Sequence, residues 1–234
     1  MTLAALLVSV AMATDLQGRY ALSLHTVTRT RLPLLGWTSS ETTSDLLVEI
    51  RGGDDGARWQ RQEVCDVRIS GHGGSARIVV PDAFVASLPI KQIPIELTPR
   101  PDGTVAYRAD LGVDEVGFDS AQAQGKVPRR LGDPGLVDGD GDGKPGVTIR
   151  IQAPVLGPAE LYVVQRGSMI LTGALLAEGG VAGTVTLGPI EQHTVAASNN
   201  LLVSSPRIEP VSAESWFRLT PVAPTAGCTD ISPY

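Results

Sequence analysis

Asp138, Asp140 and Asp142 alternate with Gly139, Gly141 and Gly143, and Lys144-Pro145-Gly146 follows. Carboxylates at every second residue can wrap their oxygens round one cation, while the intervening glycines permit the tight curvature this requires. Three like charges so close together repel one another, so the pattern calls for a hard, oxygen-liganded cation. The expected ion is calcium, which takes about six to eight oxygens in a flexible shell. Its expected ligands are the side chains of Asp138, Asp140 and Asp142 and the carbonyl of Lys144.

These nine residues resemble the DxDxDG calcium loops of EF-hand-like, dockerin and thrombospondin type 3 modules. Asp138, Asp140 and Asp142 match loop positions one, three and five, and Gly143 matches the sharp turn. The resemblance implies a calcium cofactor, with the Lys144 carbonyl at position seven. Position nine is Gly146, and position twelve is Ile149 where an EF-hand has Glu; a strand-like segment follows in place of a helix. A paired EF-hand is therefore not expected. The missing oxygens would come from water or from Asp114, Glu115, Asp119 or Asp133.

Other chemistry is sparse. Gly71-His72-Gly73-Gly74 resembles the oxyanion segment of lipases, yet no Gly-x-Ser-x-Gly supplies a nucleophile elbow, so a glycine-rich turn is the expectation. His25, His72 and His193 are far apart in sequence and lack metal-ligand spacing, and neither a phosphate loop nor a dinucleotide fingerprint opening a helix after a strand occurs. No catalytic residue is assigned. Asp114 and Glu115, with Asp119, keep open an alternative in which an acid pair on a long acidic loop serves an exported hydrolase.

The elements that must position the aspartate loop read as short strands. Tyr20, Leu22 and Leu24 share one face of a strand from Gly18, and Leu46, Val48 and Ile50 share one face of a second. Between them, 32–44 combines apolar residues with hydroxyls and suits a long loop over an opening. In a third strand Trp59, Cys65, Val67 and Ile69 keep one parity, which puts Cys65 on a buried face. Residues 110–146 lose the alternation and read as an insertion that ends at the aspartate loop. Strands resume at 147–152, 161–166, 169–177, 181–187, 192–197 and 215–219.

About ten such strands joined by glycine-containing turns predict an all-β chain. The expected form is an antiparallel up-and-down β-barrel, with a β-sandwich as alternative. Gly18-Arg19-Tyr20 resembles the Gly-x-Trp opening of lipocalins, which implies a barrel with Tyr20 near one end. Should the barrel hold a small apolar ligand, Tyr20, Trp37 and Trp59 are the expected lining.

Composition narrows the partners. The chain has 234 residues and 42% apolar content, enough for one continuous core, and its 26 Gly and 17 Pro disfavour long helices. A net charge of −6 provides no basic field for nucleic acid. Residues 1–13 read as a signal peptide, with an apolar run too short to span a membrane and a small-x-small site at Ala11-Met12-Ala13. Residues 14–234 then form a single barrel domain. Cys65 and Cys228, two cysteines in an exported chain, are expected to form one disulfide. The picture is a secreted or periplasmic, calcium-stabilised binding or structural module, whose partner would be a small apolar ligand or a cell-surface molecule.

Overall fold

The computed structural model describes residues 16–32, 36–53, 57–72, 77–153 and 157–231. The expected signal peptide and the Gly73-Gly74 part of the glycine-rich turn lie outside them. The chain is almost entirely antiparallel β. β1 (Gly18–Leu32), β2 (Gly36–Gly52) and β3 (Arg58–His72) form a long meander. A short β4 (Arg77–Val79) and helix α1 (Asp82–Ser87) lead to β5 (Lys91–Pro99) and β6 (Val105–Val116). After the insertion come β7 (Val147–Ala153), β8 (Gly157–Leu175), β9 (Val181–Leu187), β10 (Glu191–Ala197), β11 (Arg207–Pro210) and β12 (Trp216–Pro221). A last helix, α2 (Cys228–Ile231), ends the described chain.

Pairing closes part of this sheet into a ring. Following hydrogen-bonded neighbours, β1 leads through β2, β3, β5, β6, β8, β9 and β12 back to β1. The order is up-and-down, as the turn spacing predicts, and closure leaves these strands no free edge where they pair on both sides. The ring is not a regular barrel, because several strands run beyond it. β8 is the clearest case: its residues 165–175 pair with β6 and β9, and its residues 157–166 pair with β7 and β10. The sequence reading splits this 19-residue strand in two at Gly167-Ser168, but the strand passes through and changes partners there.

Two other boundaries differ from expectation. The hydroxyl-rich stretch expected as a loop is strand: Thr38 to Ser44 of β2 pair with Thr30 to Leu24 of β1. A run rich in Ser and Thr suits strand geometry as well as loop chemistry, so composition alone misplaces it. The insertion begins at Gly117, since β6 continues to Val116; a register shift between Asp110 and Val113 breaks the alternation that periodicity relies on.

The ring encloses the main core. Leu22, Leu24, Leu46, Val48, Ile50, Ile93, Ile95, Tyr107, Leu171, Val185, Phe217 and Leu219 pack together inside it. Gly173 and Gly183 face each other across β8 and β9. A Cβ on Gly183 would meet Phe217 Cε1 at 2.8 Å, and one on Gly173 would meet Phe217 Cζ at 3.0 Å. The two glycines thus form the slot that the Phe217 ring fills. One polar chain crosses this interior: the Tyr107 hydroxyl donates to Gln60 Oε1 at 2.5 Å, and Gln60 Nε2 donates to Gln62 Oε1 at 3.2 Å. Mutual pairing is what makes buried amides tolerable in an apolar core, and burial pushes the Tyr107 phenol well above its ordinary pKa.

Cys65 and Cys228 form the expected disulfide, Cα to Cα 5.1 Å, which ties the C-terminal tail to β3. Cys65 sits where β3 gains one residue against β2, between the pairs Asp45–Asp66 and Leu46–Val64. This bulge changes the parity of the strand. Gln60 and Gln62 are buried on one side of it, while Trp59 is exposed. A bonded cystine belongs to an oxidising compartment. Among the described residues, no helix is long and apolar enough to cross a membrane.

Candidate metal centre

The insertion has its own small core. Phe118, Ala123, Val127, Val164 and Val195 are buried together, with Leu136 and Tyr162 against them. Arg166 of β8 holds the outside: it donates to Glu115 Oε1 at 2.9 Å, to the Gly125 carbonyl at 2.8 Å and to Ser120 Oγ at 2.9 Å. Its guanidinium also lies over the Phe118 ring, 5.4 Å from the centroid. Asp119 accepts from the backbone N–H groups of Ala121 and Gln122, and Asp133 accepts from that of Arg129. These hydrogen bonds favour the charged form and hold both carboxyls below the usual aspartate value.

The aspartate loop is pinched at its neck. Gly139 N–H donates to the Gly146 carbonyl at 2.7 Å, and Gly146 N–H donates to the Val137 carbonyl at 2.6 Å. The neck lies on β8 at backbone distance. A Cβ on Gly146 or on Gly117 would meet the Val163 carbonyl oxygen at 2.6 Å, and both glycines have positive φ, 82° and 77°. Only glycine fits at either position without displacing the backbone.

Within the loop, Asp138 gathers N–H groups. Its Oδ1 accepts from Gly141 at 2.8 Å and Asp142 at 3.1 Å, and its Oδ2 from Gly143 at 2.8 Å. Asp142 Oδ1 accepts from Lys144 N–H at 2.8 Å, and its Oδ2 from the Thr148 hydroxyl at 2.6 Å. Asp140 Oδ2 accepts from Thr148 N–H at 2.9 Å. The other Asp140 oxygen, Oδ1, is buried and has no hydrogen-bond partner. One carboxylate oxygen from each aspartate falls within 4.8 Å of the other two. That spacing suits a single ion, since two oxygens on opposite sides of a cation at about 2.4 Å stand about 4.8 Å apart. The three aspartates are therefore a group that could hold a metal ion, and the orphaned Asp140 oxygen is the atom most in need of one.

Lys144 is exposed, and its side chain points over the Tyr162 ring, 6.0 Å from the centroid, so only its carbonyl is available to an ion. The acids expected to complete the shell are engaged elsewhere. Asp114 pairs with Lys91, Glu115 with Arg166, and Asp119 and Asp133 hold the turns described above. Asp114 and Glu115 are successive residues of β6 and side chains alternate along a strand, so these two acids are directed apart.

The expected ligand lining also separates. Tyr20 is buried in the ring core, whereas Trp37 and Trp59 are 45% and 40% exposed. The reason for Trp59 is the bulge at Cys65, which reverses the parity that linked it to the buried face. Trp37 lies beside Arg31 in the register, opposite in parity to Leu46 and Val48, with the Arg207 guanidinium 5.9 Å from its ring centre.

One cluster has no counterpart in the sequence reading. His193, only 5% exposed, places Nδ1 2.7 Å from Ser205 Oγ and Nε2 3.1 Å from Glu191 Oε1. Arg129 of the insertion reaches the same carboxylate oxygen at 3.3 Å. Glu191 and His193 lie two apart on β10 and so share a face, a signal visible in sequence; the serine arrives only through folding. Comparison with known proteins returned no matching family model, no matching curated protein and no matching solved structure.

Proposed function

We propose that the protein is an exported β module in which one calcium ion closes the Asp138–Gly146 loop and braces the insertion against the ring. The observation that carries the reading is the buried, unpartnered Oδ1 of Asp140, a residue whose carboxylate clusters with those of Asp138 and Asp142. An all-oxygen donor set with no nitrogen or sulfur favours a hard cation. A loop curved by glycines, with the Lys144 carbonyl and water to complete the shell, suits the large and irregular shell of calcium better than the strict octahedron of magnesium. The N-terminal apolar run and the disulfide support export, and extracellular calcium would keep such a site filled.

The ion's role in this reading is structural. The loop neck rests on Val163 of β8 and Thr148 is the second residue of β7, so charge neutralisation at the loop holds the insertion where the sheet extends beyond the ring. The ring itself is the scaffold, and the exposed indoles of Trp37, Trp59 and Trp216 support a binding role on its outside. A ligand carried in the interior is less well supported, since Tyr107, Phe217 and Leu171 occupy the centre.

The test is calorimetric titration of the chelator-treated full chain with calcium, alongside thermal unfolding. Modules of this class bind at about 10⁻⁴ to 10⁻³ M, so at ten times the Kd the ion adds about 1.4 kcal/mol and raises the unfolding midpoint by a few degrees. Asp140→Asn is expected to weaken binding by about tenfold or more and to abolish most of that rise. Absence of binding heat, together with an unchanged midpoint at millimolar calcium, sinks the proposal.

A further inference from the structure

We propose that Ser205, His193 and Glu191 form a nucleophile, a general base and a positioning carboxylate for acyl transfer from small esters. The placement comes from the backbone. Thr194 and Ser204 form an antiparallel bridge, with Thr194 N–H donating to the Ser204 carbonyl at 2.8 Å. In antiparallel register the flanking residues, His193 and Ser205, then stand opposite each other, and their side chains meet at 2.7 Å. Glu191 lies on the same face of β10, 3.1 Å from the far ring nitrogen.

The chemistry follows from this order. An ionised Glu191 accepts only, so Nε2 must carry the proton toward it, and Nδ1 is left with a lone pair facing Ser205. The Ser205 hydroxyl then donates to Nδ1, which is the arrangement of a nucleophile beside its base, with a third group fixing the tautomer. Arg129 also contacts Glu191 Oε1, and the hydrogen bond to His193, with Arg129 adding to it, holds the Glu191 carboxyl below its ordinary value. His193 is buried while Ser205 is exposed, so the base is held in place and the nucleophile faces solvent. Leu201 is 85% and Val203 is 41% exposed just before Ser205, and they offer an open apolar ledge for a short acyl group.

In the reaction, Ser205 Oγ bonds to the ester carbonyl carbon as its proton passes to His193 Nδ1. The bond from that carbon to the alkoxy oxygen breaks, and the departing oxygen takes the proton, leaving as an alcohol. Water then attacks the acyl-serine, giving its proton to Nδ1; the carboxylic acid leaves and Ser205 recovers its hydroxyl. Ser205 and His193 are the catalytic residues, and Glu191 acts through His193.

The test treats the full chain with a fluorophosphonate probe and with 4-nitrophenyl acetate, the fold being checked by circular dichroism. Attack on the probe forms a Ser205 oxygen–phosphorus bond and expels fluoride, so the expected result is one adduct, on the peptide containing Ser205. Ser205→Ala, an exposed substitution, is expected to lose the adduct and the ester turnover. Glu191→Gln is expected to slow labelling by about 100-fold and to displace its pH profile, a change that a merely structural carboxylate does not cause. A folded parent chain that takes up no probe, or a folded Ser205→Ala chain that is labelled equally well, overturns the proposal. An unchanged rate and pH profile in Glu191→Gln overturns the role given to that residue. None of these outcomes depends on whether calcium binds.

Discussion

Glycines sit at the tightest points of both the ring and the insertion, but what packs around them differs. In the ring, Gly173 and Gly183 let β8 and β9 approach at backbone distance, where a Cβ would meet the Ala182 or Thr172 carbonyl oxygen at 2.3 or 2.1 Å. They also leave room for the Phe217 ring in an apolar core. In the insertion, Gly117 and Gly146 leave out side chains so that backbone can lie directly on backbone, against the Val163 carbonyl. The first arrangement maximises buried apolar area. The second brings N–H and carbonyl groups together, and carboxylates close the turns on either side. A region held by apolar packing is insensitive to acid and to chelators, whereas one held by carboxylate–amide contacts depends on the charge state of those carboxylates.

The largest expected effect lies in the ring. Phe217→Ala empties the slot between Gly173 and Gly183 and is expected to cost about 3–5 kcal/mol in urea unfolding, the range for deleting a buried phenyl ring. A loss below about 1 kcal/mol would show that the ring does not depend on this core. Gly146→Ala comes next, at about 1–3 kcal/mol, because it combines a positive φ with a collision at Val163. Its damage should be local: amide exchange should quicken across the insertion and β7 while the amides of Leu22 and Leu171 keep their protection. Equal loosening of both regions would contradict the division drawn between them.

The smallest effect is that of pH. Asp119 and Asp133 have folded values below the ordinary 3.8, so their contribution is complete above that value and is lost as pH falls through the lower folded values. The amide resonances of Ala121 and Arg129, which donate to these carboxylates, should shift in that acid window while those of the ring stay fixed. Simultaneous movement of both sets would mean that acid acts on the whole fold.

The contrast also governs what sequence reading could reach. Period-two apolar residues such as Leu22 and Leu24, or Leu46, Val48 and Ile50, announce which face of each strand is buried, because burial on one side of a pleated strand imposes that period. The all-β class and the up-and-down order were legible for this reason. Reading failed where one inserted residue changed the parity: the bulge at Cys65 turned Trp59 outward, and the shift after Asp110 hid the end of β6. It failed again at Gly167, which looked like a turn and lies within a continuous strand.

By itself the sequence determined the strand class, the pair of cysteines available to bond and the aspartates able to gather round an ion, since alternation, cysteine number and carboxylate spacing are local quantities. The tertiary structure alone decided that Asp140 would have a buried oxygen without a partner and that Asp114, Glu115 and Asp119 would be engaged away from the loop. It alone brought Ser205 to His193, across 12 positions of sequence. Contacts of that kind depend on register between separate segments, and register is set by the closing of the sheet, which no local pattern records.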